Sequence, residues 1–227
     1  MRQVSRFGQL SSAHLRALEF HENSSSTPCD RVLLRMHKQK LLRRITTRRV
    51  GGWQSGSGHY VYQLGAEGWR YMRREGKPWA YRSIDAHMLA IADCYVAAVE
   101  AERAGDVRIL DVLTEPETWL DVAGADLRPD MRLDIGVVAK RANLRLWLEI
   151  DQGTERRKQL TDKIARYRHA YRHWTDEHEG EVFPLVLFVA IDNERARELR
   201  TLIKQLPDNA RGIFDVVTAE SFPQMWK

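Results

Sequence analysis

Hydrophobic and polar residues repeat with two different periods along this chain, and the period separates helices from strands. Apolar residues three and four positions apart predict helices over residues 11–20 and 27–40. A basic strand over 42–50 and an alternating strand over 59–64 flank a glycine-rich turn. A further helix is predicted at 66–75, so the first third of the chain reads as helix, turn, helix, hairpin and helix.

This order is typical of a winged helix-turn-helix module, in which the second helix enters the major groove of DNA and the hairpin lies along the phosphates. Residues 1–10 are short for the helix that normally opens such a module, so a partner subunit or the helix at 66–75 is expected to complete its core. The residues expected to contact DNA are basic side chains of the second helix and the hairpin, with one aromatic residue: Arg31, Arg35, Lys38, Arg43, Arg44, Arg48, Arg49 and Trp53.

The second part of the chain follows a helix stop at residues 76–78 and a short linker at 79–82. Its order of elements predicts a mixed α/β sheet with helices on its faces, and therefore an α+β protein of two domains, 1–78 and 83–227. The predicted helices span 83–105, 154–174 and 193–205, and the predicted strands 107–113, 130–137, 144–151, 181–191 and 212–218.

Acidic residues collect on two neighbouring strands of this sheet. A period of two puts Asp130 and Asp134 on one face of the first strand, and Glu149 and Asp151 on one face of the next. If the two strands form a hairpin about a turn near 140–143, Glu149 is expected roughly opposite Asp134. Like charges on one patch repel, so either a cation binds there or neighbouring arginines neutralise the acids.

The charge of the chain divides unevenly along its length. Residues 1–82 hold 16 Lys/Arg and 5 Asp/Glu, a net charge of +11, whereas the remainder holds 20 and 26, a net charge of −6. Such a division indicates a nucleic-acid-binding module joined to a part of different purpose. Two distant cysteines without ligand spacing, and no apolar run of signal or membrane length, predict a cytoplasmic protein without a membrane partner.

The chain resembles the replication-relaxation family of plasmids, phages and actinobacterial mobile elements. The agreement covers most of the chain and includes Pro129-Asp130. Its most specific segments are Leu148-Glu149-Ile150-Asp151-Gln152-Gly153-Thr154-Glu155 and Lys163-Ile164-Ala165-Arg166-Tyr167. That family is associated with the relaxation of plasmid DNA during replication. The resemblance therefore implies an accessory protein of a mobile element, acting in replication, DNA relaxation, transfer or recombination.

The second domain also resembles a PD-(D/E)xK nuclease fold. In that superfamily an Asp after Pro and a Glu on the next strand hold Mg²⁺, and a lysine two residues beyond the Glu activates water. The resemblance assigns these metal-binding roles to Asp130 and Glu149, with Glu100 as an acid on the first helix. Asp151 stands in the lysine position, which nominates Lys163 of the following helix instead.

The residues and the resemblance together leave three functional hypotheses. The first is a DNA-binding accessory factor whose partner is double-stranded DNA, with a homodimer or a replication or recombination protein as further partners. The second is an endonuclease or nickase that uses Mg²⁺ or Mn²⁺, with no cofactor expected if the site is inactive. The third is a winged-helix transcriptional regulator with a dimerising C-terminal domain. In the second hypothesis the catalytic residues are Asp130, Glu149, Asp151 and Lys163, and the metal ligands are Asp130, Glu149, Asp134 and Glu100.

Overall fold

The computed structural model describes residues 1–45, 59–78, 80–178 and 180–226. The chain forms two compact units, Met1–Val96 and Ala97–Lys227. The division therefore falls inside a long helix, α5 (Ala86–Ala104), and not in the predicted linker at 79–82. Within the described residues, every helix is too short or too polar to cross a lipid bilayer.

The first unit combines small helices with a three-stranded antiparallel sheet, in which β3 (Val61–Leu64) lies between β1 (Leu10–Ser11) and β2 (Leu42–Ile45). Residues 1–10 were expected to be short for an opening helix, yet a helix is present there. Val4 and Phe7 lie on its buried side. Besides the start of α5, the first unit contains α1 (Arg2–Phe7), β1 (Leu10–Ser11), α2 (Ser12–Glu19), α3 (Thr27–Lys38), β2 (Leu42–Ile45), β3 (Val61–Leu64) and α4 (Ala66–Tyr71).

A reciprocal cap fixes the start of α2. The Ser11 hydroxyl accepts a hydrogen bond from the His14 backbone N–H at 3.1 Å, and the His14 Nδ1 accepts one from the Ser11 backbone N–H at 3.3 Å. This is a capping box in which histidine takes the place of the usual Glu or Gln. The other ring nitrogen of His14 lies 2.7 Å from Asp93 of α5, so the cap also joins α2 to the long helix.

The predicted linker is bound to the sheet of the first unit. The side chain of buried Gln63 donates to the Tyr81 carbonyl at 2.9 Å and accepts from the Tyr81 backbone N–H at 3.0 Å. Leu89 of α5 is buried in one cluster with Ile45 and Val61. These contacts attach residues after 78 to the first unit, in agreement with its extent to Val96.

The second unit is built on a five-stranded sheet of order β10-β9-β8-β7-β4. The neighbours β4, β7 and β8 are antiparallel, and β8, β9 and β10 are parallel, as a mixed sheet requires. Besides the end of α5, its elements are β4 (Val107–Thr114), β5 (Leu120–Val122), β6 (Ala125–Leu127), β7 (Met131–Val137), β8 (Ala142–Asp151), α6 (Arg157–Glu177), β9 (Leu185–Ala190), α7 (Asn193–Lys204), α8 (Asp208–Arg211), β10 (Phe214–Thr218) and a short 3₁₀ helix (Phe222–Gln224).

One face of this sheet carries the larger core of the second unit. Trp147 of β8 is fully buried and packs against Tyr167 and Trp174 of α6, with ring centroids 6.0 and 5.7 Å away. The small hairpin β5–β6, which lies where a loop was predicted, also packs on α6 through buried Val122 and Leu127. This packing fixes the position of α6 above β8. It therefore also fixes the positions of the α6 side chains that face the acidic ends of the strands.

Candidate functional site

The register of β7 and β8 decides which acids are neighbours. Met131 pairs with Leu148, so Asp130 and Glu149 meet just beyond that pair, and the Asp130 backbone N–H donates to the Leu148 carbonyl at 3.0 Å. Asp134 instead pairs with Arg145, whose Nε lies 3.7 Å from its carboxylate. The expectation that Glu149 lies opposite Asp134 is wrong, since four residues of strand, about 13 Å, separate Asp134 from Asp130.

Glu149 occupies the centre of the site and is 3% exposed. One carboxylate oxygen lies 2.7 Å from the ammonium nitrogen of Lys163, and the other accepts a hydrogen bond from the Tyr167 hydroxyl. Lys163 also contacts Glu155, at 3.0 Å. Lys163, the lysine nominated from the following helix, therefore does reach the acidic strand β8. Tyr167 lies one helical turn further along α6 and donates to the same carboxylate.

Burial controls the protonation of this cluster. It raises the pKa of Glu149 to about 7, because desolvation outweighs the attraction of Lys163 and is reinforced by the nearby charge of Asp130. For Lys163 burial acts in the opposite sense, yet attraction by Glu149 and Glu155 prevails and its pKa is raised. Burial, followed by the negative charge of Glu149, raises the pKa of Tyr167 well above its usual value. Lys163 therefore stays charged over the range in which Glu149 titrates.

Asp151, in the position where a nuclease lysine was expected, forms a separate buried ion pair. Its Oδ2 lies 2.9 Å from the Arg195 Nε, and its Oδ1 accepts a hydrogen bond from the Gly153 backbone N–H at 2.7 Å. Arg195 also contacts Glu198 at 2.6 Å and donates to the Glu155 carbonyl at 2.7 Å. Asp151 thus joins β8 to α7.

Three residues of this site were not predicted from the sequence. Tyr167 was part of a resembling segment but was given no role, although a tyrosine hydroxyl needs a partner when buried. Glu155 was part of the resembling segment but was given no role. Arg195 lies 44 residues beyond Asp151, so no local pattern joins the two.

The residues present do not fit a divalent metal ion. Within the described parts of the chain, no three His, Cys, Asp or Glu side chains stand close enough together to hold one. Both Glu149 oxygens face donors, and Asp130 Oδ2 accepts the Ile150 backbone N–H at 2.6 Å. Asp134 is drawn toward Arg145, and exposed Glu100 of α5 belongs to no such group. Lys163, which is half-buried, supplies the positive charge that a metal would otherwise bring to Glu149.

A cavity of about 170 Å³ opens beside Glu149 and Lys163. The side chains that line it come from the end of β6, from β8 and from α6: Asp126, Leu127, Arg128, Glu149, Lys163, Arg166 and Tyr167. Three of these seven are cationic and two are acidic. The cavity therefore presents a mixed but cation-rich lining, which suits a polar or anionic group better than an apolar one.

A second candidate site lies on α3 of the first unit. Its buried side chains are Cys29 and Leu33. Its exposed side carries a stripe at helical spacing, formed by Arg31, Leu34, Arg35 and Lys38, all with exposed side chains. The three basic residues of this stripe are those of the second helix that the sequence predicts to contact DNA, and the structure places them on one face.

The structure describes two of the four arginines of the predicted hairpin, Arg43 and Arg44. Arg43 is exposed on β2. Arg44 is not available to the same degree, because its guanidinium stacks on Tyr60 at 3.5 Å and donates to the Tyr62 hydroxyl at 3.2 Å. Arg48, Arg49 and Trp53 lie outside the described residues.

Comparison with known proteins gives one family match, to the replication-relaxation family, over residues 1–186. The match includes the whole first unit and runs through β8 and α6 of the second, and thus covers Asp130, Glu149, Lys163 and Tyr167. Neither the curated proteins nor the solved structures gave a match. On a match that spans most of its length, the chain belongs to the replication-relaxation family.

Proposed function

We propose that this protein binds double-stranded DNA through α3 and serves as an accessory factor in the replication or relaxation of a mobile element. The observation that carries the proposal is the arrangement of the first unit. Its order α1-β1-α2-α3-β2-β3, with the sheet order β1-β3-β2, is the order expected of a winged helix-turn-helix. In such a module α3 is the helix that enters the major groove.

The exposed side of α3 supports this role chemically. Arg31, Arg35 and Lys38 provide positive charges at intervals of one helical turn, which suit phosphates and the acceptor atoms of guanine. Leu34, 43% exposed between them, suits contact with a thymine methyl group.

The charge of the whole unit supports the same conclusion. Residues 1–96 contain 16 Lys/Arg and 7 Asp/Glu, a net charge of +9, whereas residues 97–227 carry −4. A basic unit of this kind attracts the phosphate backbone before any specific contact forms. The replication-relaxation family provides the context of replication and DNA relaxation, and duplex DNA is the ligand that fits both.

For the second unit we propose a PD-(D/E)xK-like fold that does not use metal-dependent cleavage. The helix α5, the antiparallel strands β4, β7 and β8, the helix α6 and the parallel strand β9 support the fold, as does Asp130 beside Glu149. The Lys163 and Tyr167 contacts of Glu149 argue against metal binding. Purified protein with Mg²⁺ or Mn²⁺ should therefore leave supercoiled plasmid intact, and nicking that Glu149→Gln abolishes would contradict this part of the proposal.

The DNA-binding proposal is tested by fluorescence anisotropy with a labelled duplex. Arg31→Ala with Arg35→Ala should weaken binding about tenfold or more, because both side chains are expected in the groove. The matched control is Arg197→Ala with Lys204→Ala, which removes the same charge from the exposed side of α7. Equal affinities for the two double variants, or no binding by the unaltered protein, would contradict the proposal.

A further inference from the structure

We infer that the second unit contains a binding site for single-stranded DNA, formed by Trp119, Arg128 and Arg166 at the mouth of the cavity beside Lys163. This site is distinct from the α3 surface of the first unit. The inference goes beyond the proposed duplex binding and does not depend on it, since no residue is shared between the two surfaces.

Trp119 is an exposed aromatic side chain held in a fixed position. It is 47% exposed, although tryptophan is a large residue that folded chains usually cover. Its indole N–H donates to the Glu115 carboxylate at 2.9 Å, and the Arg128 guanidinium lies 4.6 Å from its ring centroid. An indole oriented from two sides while remaining open to solvent provides a rigid surface for a planar ligand.

Arg128 connects this ring to the cavity. Its Nε donates to the Asp126 carboxylate at 2.9 Å, and its terminal nitrogen lies 2.7 Å from the same group. These contacts orient the planar guanidinium beside Trp119, while Arg128 also lines the cavity. A base can stack on the ring or on the guanidinium plane, and the phosphate that follows then meets the cationic lining.

The cations that would receive this phosphate come from α6. Arg166 is exposed and lies one helical turn beyond Lys163, and both side chains line the cavity. Lys163 is the inner charge and Arg166 the outer one. An aromatic platform followed by two cations at the spacing of a helical turn is the combination by which proteins hold the bases and backbone of a single strand.

Single-stranded DNA fits this site better than a duplex does. The stacking face of a base is accessible only when the base is unpaired and unstacked, and an isolated tryptophan beside a small cavity reaches no groove. Stacking also tolerates any sequence, because every base has a flat face. The site is therefore expected to bind oligothymidine, whose bases stack weakly on one another, without a requirement for sequence.

The test measures the affinity of the full chain for a labelled oligothymidine and for a labelled duplex of the same length. Trp119→Ala should weaken oligothymidine binding about fivefold or more, whereas Trp119→Phe, which retains an aromatic ring, should keep most of it. Arg166→Ala should also weaken it, but Arg172→Ala, which removes an exposed arginine from the same helix, should not. All four variants should bind the duplex as the unaltered protein does.

Several results would overturn the inference. They are the absence of oligothymidine binding, an affinity unchanged in Trp119→Ala, or equal losses in Arg166→Ala and Arg172→Ala. Failure of the duplex proposal is recognised separately, because Arg31→Ala with Arg35→Ala affects duplex binding and should leave oligothymidine binding through Trp119 in place.

Discussion

At the scale of single residues, the cluster around Glu149 is an arrangement in which burial and charge oppose each other. The carboxylate is removed from water, and one ammonium group and one hydroxyl take over its hydration. The ammonium is shared with Glu155, so Lys163 compensates two carboxylates at once. This makes Lys163 the counter-ion that allows the Glu149 carboxylate to stay buried.

The raised pKa of Glu149 predicts a specific dependence of stability on pH. Folding raises this pKa from 4.5 to about 7, so the folded protein binds a proton more tightly than the unfolded chain does. The stabilisation is complete below pH 4.5 and is lost as the pH rises to 7, a change on the order of 3 kcal/mol. The pKa of Lys163 is also raised, but this shift changes the free energy of unfolding only at alkaline pH.

Urea unfolding of the protein and of Glu149→Gln at pH 5 and pH 8 measures this effect. The difference in unfolding free energy between the two pH values should be smaller in the variant, because an amide does not titrate. Glu155→Gln, which alters the other partner of Lys163, is the control and should retain the dependence. An identical pH dependence in all three proteins would show that Glu149 does not titrate in this range.

The residue-scale site shows where sequence reasoning succeeds and where it stops. The nuclease-fold resemblance named Asp130, Glu149 and Lys163 together, and the structure places Lys163 2.7 Å from Glu149 and Asp130 on the neighbouring strand. The pairing of Asp134 with Glu149 was predicted wrongly, and Asp134 pairs with Arg145 instead. The register of two paired strands depends on the turn between them, and a different turn shifts every pair of residues together. The Asp151–Arg195 pair was missed because it joins residues that only the packed fold brings together.

At the scale of elements, the turn from β3 into α4 requires glycine at two places. A Cβ atom at Gly65 would lie 2.1 Å from the Lys40 carbonyl oxygen, and one at Gly68 would lie 2.0 Å from the Leu41 carbonyl oxygen. The Gly65 N–H donates to the Leu41 carbonyl at 3.0 Å, so the two segments are tied closely together. The helix α4 therefore packs against backbone and cannot move away without breaking this contact.

Gly68→Ala should consequently destabilise the protein by about 2 kcal/mol or more, since the added methyl group meets backbone that cannot rotate away. Gly212→Ala is the control, because no atom lies within 4 Å of the position of its Cβ and its φ of −65° is ordinary. Thermal unfolding compares the two. Similar unfolding temperatures would mean that α4 can shift to make room.

The elements themselves were largely predictable. The helices α2, α3, α6 and α7 and the strands of the mixed sheet follow periodic patterns long enough to be recognised. The helix α1 was not predicted, since its six residues offer only one spacing of apolar side chains, Val4 and Phe7. The hairpin β5–β6 was interpreted as loop for the same reason: each strand has three residues.

At the scale of the whole molecule, the chain consists of a basic unit and an acidic one, and the division between them falls within the sequence of α5. The first unit depends on residues beyond the predicted boundary at 78, because Tyr81, Ile84 and Leu89 pack with Ile45 and Val61. A fragment of residues 1–104, which includes all of α5, should therefore fold, and a fragment of residues 1–78 should not. Circular dichroism and cooperative thermal unfolding distinguish them; a cooperative transition in the shorter fragment would contradict this division.

The central claim is that the exposed side of α3 binds duplex DNA in its major groove, where the cations of α3 also neutralise phosphate charge. The most direct measurement is the slope of the logarithm of the binding constant against the logarithm of salt concentration, for the full chain and its variants. Arg31→Ala with Arg35→Ala should reduce the magnitude of the slope by about 2, because each cation removed leaves one phosphate charge fewer neutralised and releases one counter-ion fewer. Arg197→Ala with Lys204→Ala should leave the slope unchanged. Equal slopes for all three proteins, or affinity that does not fall with salt, would contradict the claim.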